Sequence, residues 1–151
     1  MTRAELITFL RAQADAAISN DTFSSRIIPG KTSDLNELNK SYPILFVMVG
    51  EARTGLRAEY TDYPLFILAL NKHNENDTIE KYEIESEMQE ACKTYLGSIL
   101  PDESTTTDII GIVDDTGQVS RALIFNTQEN YLNDRLTGVS LTITIRVFTE
   151  C

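Results

Sequence analysis

Tryptophan is missing from this chain, histidine occurs once, and only two cysteines are present. Cys92 and Cys151 form no CxxC pair. The single imidazole, His73, has no Cys or Asp partner fixed by a sequence motif and is a poor nucleophile–base candidate. One His and two separated Cys are a poor ligand set for zinc, which needs several ligands close in space. Two unpaired thiols suit a reducing compartment. Long hydrophobic runs are also lacking. The longest, Ile44 to Val49 and Leu65 to Leu70, have the length of strands, well short of the roughly 18 residues of a membrane-spanning helix. The start, Met1-Thr-Arg-Ala-Glu-Leu6, has no continuous apolar stretch, so a secretory leader is not expected.

Basic residues are scarce: 13 Lys and Arg against 23 Asp and Glu, a net charge of −10. That disfavours gripping a phosphate backbone or an anionic lipid surface. It does not disfavour a wall that DNA slides past without sticking. Glycine motifs fail as well. Gly50 and Gly55 frame Glu-Ala-Arg-Thr with no GK[ST] ending and no dinucleotide fingerprint. No serine or threonine lies in a GxSxG context.

What is present reads as one domain over residues 1–151, of α+β class. The spacing of Leu6, Ile7, Leu10, Ala14, Ala17 and Ile18 predicts a helix over 4–18, with Thr2 and Glu5 as a capping box. Residues 19–41 read as a long loop with a Pro29-Gly30 turn. Tyr42–Gly50 and Gly55–Asn71 predict a long β-hairpin. In its second strand, Pro64 implies a bulge, a bend or an edge. Asn71–Asp77 reads as a solvated turn holding His73.

A helix is expected over Thr78–Leu100, started by Asp77 or Thr78 and stopped by Pro101. Its predicted apolar stripe is Ile79, Tyr82, Ile84, Met88, Ala91, Cys92, Tyr95, Leu96 and Ile99, with Glu80, Glu83, Glu87 and Glu90 outward. Asp108–Asp114 and Val119–Asn126 predict two strands around an Asp115-Thr-Gly117 turn. From Val139 the chain alternates strictly, Val139, Leu141, Ile143, Ile145 and Val147 against Ser140, Thr142, Thr144, Arg146 and Phe148, the pattern of a half-buried antiparallel strand. The expected architecture is a mainly antiparallel sheet with two principal helices on one face and a long β-hairpin.

The carboxylates are the one abundant reactive class. Asp114-Asp115 reads as an aspartate turn bonding its own backbone, and the glutamates of the long helix as a solvated face. A hydrolase using them is the weakest of three function classes. No catalytic, cofactor or metal residue is assigned, and no enzyme is expected.

One segment carries a resemblance. Asn133-Asp-Arg-Leu-Thr-Gly138, a polar turn of N-D-x-L-x-G type, leads into the alternating strand. This resembles the C-terminal end of small virion proteins of tailed phages of Bacteroidetes. The order of elements is similar to the tail terminator (tail-completion, neck-ring) family. The resemblance implies a structural protein that forms a homo-oligomeric ring, commonly a hexamer, in the tail or neck of the virion. It implies synthesis in the host cytoplasm, with the tail tube protein and the head–tail connector as partners. Double-stranded DNA would pass through the lumen without specific binding, and no membrane is involved. On this reading Asp114 and Asp115 are candidate lumen or tube contacts, and Arg57, Glu59 and Arg146 candidate subunit contacts. The competing class is a small α+β module that binds a ligand or protein without catalysis.

Overall fold

A computed structural model describes residues 1–19, 21–31, 42–54, 59–73, 78–100, 108–114, 116–120, 122–128 and 136–148. Helix α1 spans Arg3–Ala17. The Thr2 hydroxyl accepts from the Glu5 N–H at 3.2 Å, so the expected cap is present. Leu6, Leu10, Ala14 and Ile18 are buried, while Ile7 and Ala17 lie at the margin of the apolar face.

Five further elements follow up to Val113: β1 (Ser25–Ile27), β2 (Ile44–Val49), β3 (Tyr60–Lys72), α2 (Thr78–Ile99) and β4 (Ile109–Val113). Then come β5 (Asn126–Gln128) and β6 (Leu136–Phe148). The strands form one sheet in the order β1-β2-β3-β6-β4, with β5 also paired to β6. All pairs are antiparallel except β1–β2. The fold is therefore α+β, with a mixed, mostly antiparallel six-stranded sheet and two helices packed against it.

The final strand is the centre of this sheet. β6 pairs with β3 along its whole length, Leu136 opposite Lys72 through Phe148 opposite Tyr60. Its other side is shared end to end by β5, over residues 138–140, and β4, over 144–147. The alternation of β6 sends Val139, Leu141, Ile143, Ile145 and Val147 into the core, all at most 6% exposed. They meet Leu6 and Leu10 of α1, and Met88, Cys92, Tyr95 and Leu96 of α2. Fully burying one such aliphatic side chain stabilises by about 1.5–3 kcal/mol. The Tyr95 hydroxyl donates to the Leu10 carbonyl at 2.9 Å, tying the helices together. On the opposite face Ile44, Phe46, Leu68, Leu70 and Leu136 form a second apolar cluster.

Several expectations are corrected. The loop over 19–41 contains β1, because Ser25–Ile27 lies parallel to Ile44–Phe46; three residues are too few to show a period. Pro64 produces neither bulge nor edge. It sits opposite Thr144 in a regular ladder, and its carbonyl accepts from Gly50 just past the end of β2. A residue in a strand sends its N–H and C=O to the same side. The missing proline N–H thus points where β2 has already ended.

Among the described residues, the strand expected over Val119–Asn126 reduces to one bridge, Val119 with Val113, before the regular pairing of β5. Ile79 and Tyr82 of α2 are exposed rather than part of its buried stripe. His73 is not solvated: it is 3% exposed, and its Nδ1 lies 2.9 Å from the buried Thr137 hydroxyl. Glu85, grouped by sequence with the solvated glutamates, is buried, whereas Glu83, Glu87 and Glu90 do face outward. The Asp77 cap, Pro101 and residues 133–135 lie outside the described residues.

Candidate functional site

The charged side chains best organised by the sheet lie at one corner, where β3 begins and β6 ends. Register places Asp62 directly opposite Arg146, on the face away from the helices. Arg146 Nε donates to Asp62 Oδ1 at 2.8 Å and Nη2 donates to Oδ2 at 3.0 Å, a fork that only arginine makes. The guanidinium carbon stands 3.9 Å from the centre of the Tyr60 ring. Its Nη1 donates to the Gly117 carbonyl at 3.0 Å. The Asp62 hydrogen bond is the largest of the influences that push the Arg146 guanidinium further above its already high value. The two side chains are 14% and 19% exposed, so the pair is largely withdrawn from water.

Gly117 belongs to the turn that follows β4. Its φ of +82° is left-handed, which glycine adopts without strain. The turn is tied by Asp114. Its Oδ1 accepts from the Thr116 hydroxyl at 2.5 Å, the Thr116 N–H at 2.9 Å and the Gln118 N–H at 3.1 Å. The Thr116 hydroxyl first, and the Gln118 amide next, hold this carboxyl below the ordinary aspartate range. Arg146 then fastens the tied turn to the sheet.

Around this clamp Tyr60 and Phe148, paired across β3 and β6, are both exposed, as are Ile110 and Val119. An apolar surface built on aromatic side chains and a fixed arginine has the composition of an interface centre. The corner offers contact area with its charges neutralised and its backbone pinned. Its described carboxylates, Asp62 and Asp114, are both engaged as hydrogen-bond acceptors.

The structure unites only part of the residues singled out from sequence. Arg146 and the Asp114 turn come together through Gly117. Glu59 is exposed next to Tyr60. Arg57 and Asp115 lie outside the described residues. Tyr60 and Asp62 were missed. Their signal was parity: both share with Arg146 the face opposite the buried positions, but this shows only once the β3–β6 register is known.

Elsewhere, burial pushes the Cys92 thiol up to about 12, so it is un-ionised at neutral pH. Among the described residues no group of three or more His, Cys, Asp and Glu is placed to hold a metal ion. A cleft of about 480 Å³ opens between the end of α1 and α2, floored by Ala17, Ile18 and Ala91 and rimmed by Glu87 and Glu90. No helix among the described residues is long and apolar enough to cross a membrane. No protein-family model matches this chain, and no curated protein matches it.

Proposed function

We propose that the chain is a structural virion protein of a tailed phage, a ring-forming tail terminator or neck protein that joins the tail tube to the head connector. The observation that carries this reading is the pinned, apolar corner of the sheet, where Tyr60, Phe148, Ile110 and Val119 surround the Arg146–Asp62 fork. A protein that works by assembly needs a rigid contact surface of this kind. Head-to-tail contacts that close produce a cyclic ring, commonly a hexamer in the family resembled. A net charge of −10 suits a lumen through which DNA passes without sticking. The ring would cap the growing tube and present a docking face to the connector. Light scattering coupled to size exclusion, followed by electron microscopy of the chain alone and with tube protein, tests this.

A second reading is a small ligand- or protein-binding module without catalysis, favoured by the 480 Å³ cleft between α1 and α2. It predicts a stable monomer.

A further inference from the structure

A second cleft, of about 410 Å³, opens where α1 meets the edge strand β1. It is lined by Arg11, Ala14, Asp15, Arg26, Ile27 and Ile28. Two of these residues are arginines, and each donates to a backbone carbonyl. Arg11 and Asp15, four apart, share one face of α1. The Arg11 Nε donates to the Ile28 carbonyl, and among the described residues its two Nη groups have no partner. Arg26 reaches across from β1. Its Nη2 donates to the Ile18 carbonyl and its Nη1 to Asp15 Oδ1 at 2.7 Å. Its Nε is buried and has no hydrogen-bond partner.

The Arg26–Asp15 pair is lopsided. The arginine side chain is 14% exposed and the aspartate 78%. A guanidinium mostly withdrawn from water is thus neutralised by a carboxylate that stands almost wholly in it. A carboxylate so placed is held weakly and is open to replacement. Arg11 adds a second cation, with no ion-pair partner among the described residues. The cleft therefore carries two positive groups against one negative group. Guanidinium pairs suit planar or tetrahedral oxyanions, which they bind through several N–H donors at once.

We infer that this α1–β1 cleft is an oxyanion site, in which a carboxylate or phosphate group is held by the Nη groups of Arg11 and by Nη1 of Arg26, displacing Asp15. The site is independent of the ring reading. Its distinguishing property is the role of Asp15, which is a competitor for the ligand. In a purely structural arrangement Asp15 would be only a strut between α1 and β1.

The test follows the Nε–H signals of Arg11 and Arg26 by ¹⁵N NMR of the full chain. Inorganic phosphate and, separately, acetate are titrated at ionic strength held constant with sodium chloride. Both arginine signals are expected to move saturably. Asp15→Asn should tighten binding by roughly 2- to 5-fold, the value of an exposed ion pair converted to affinity. Arg11→Gln should weaken it by about tenfold or more, the loss of charge-assisted hydrogen bonds. Saturation by both anions supports a general oxyanion site, and saturation by phosphate or acetate alone supports a site narrowed to that anion. An absence of saturable shifts in both the native chain and Asp15→Asn overturns the inference, as does weaker binding in Asp15→Asn.

Discussion

Arg146 and Asp62 face each other across the two longest strands of the sheet and share two hydrogen bonds, of 2.8 and 3.0 Å. The pair joins β3 to β6, and through the Gly117 carbonyl it also fixes the turn after β4. Removing one partner leaves the other charge largely withdrawn from water. Arg146→Ala is expected to destabilise the chain by about 1–3 kcal/mol, as for a lost hydrogen bond to a charged group. Arg146→Lys should recover less than half of that, since an ammonium cannot form the fork or stack flat on Tyr60. Urea unfolding of the three proteins checks both statements.

Gly138 is required by a close approach. A Cβ at this position would stand 1.8 Å from the Ala69 carbonyl oxygen in β3. Backbone cannot move aside as a side-chain tip can. Gly138→Ala should therefore cost about 1–3 kcal/mol or more, as overpacking does. Denaturation midpoints measure it, and an unchanged midpoint would contradict the packing described.

Asp114 makes stability depend on pH in a definite direction. Its folded carboxyl lies below its ordinary value, so the unfolded chain binds a proton first as the solution is acidified. The stabilisation is complete above the unfolded value, about 3.9, and is lost as pH falls through the lower folded value. Asp114→Ala should be less stable than the native chain at pH 7, and the difference should shrink below about pH 4. Thermal melts of both proteins from pH 7 to pH 2 provide the comparison.

Cys92 should be inert in the native state. Its thiol is 0% exposed, and burial raises its pKa to about 12. In a Cys151→Ser background, a disulfide reagent at pH 8 should label Cys92 only at the rate of unfolding. The unfolded thiol ionises near pH 8.5 while the folded thiol does not, so the group lowers stability as pH rises above that value. Fast labelling of the native chain would show that the α2 face is open.

The central strand was legible because the alternation from Val139 to Phe148 over one buried face leaves little choice of structure. The helices were legible from their spacing and, for α1, from Thr2 and Glu5. β1 was not, since Ser25-Arg-Ile27 acquires strand geometry only by lying beside β2. The start of α2 shows the limit of periodicity: the apolar stripe expected from sequence includes Ile79 and Tyr82, but Lys81, Ile84 and Glu85 are the buried residues there, and the helix turns the face of Ile79 and Tyr82 to solvent. His73 appeared solvated because its sequence neighbours are polar, whereas its surroundings are set by Thr137, a residue of β6. The Asp62–Arg146 pair spans 84 positions of sequence and depends on register, which local pattern does not supply.

Assembly remains the decisive property. The purified full chain, examined by size exclusion with light scattering and then by electron microscopy with tail tube protein, should form closed rings that seat on tube ends. Substituting Tyr60 and Phe148 together by Ser should abolish the rings while leaving the monomer folded. A native chain that stays monomeric at high concentration and leaves tube ends bare would contradict the proposal.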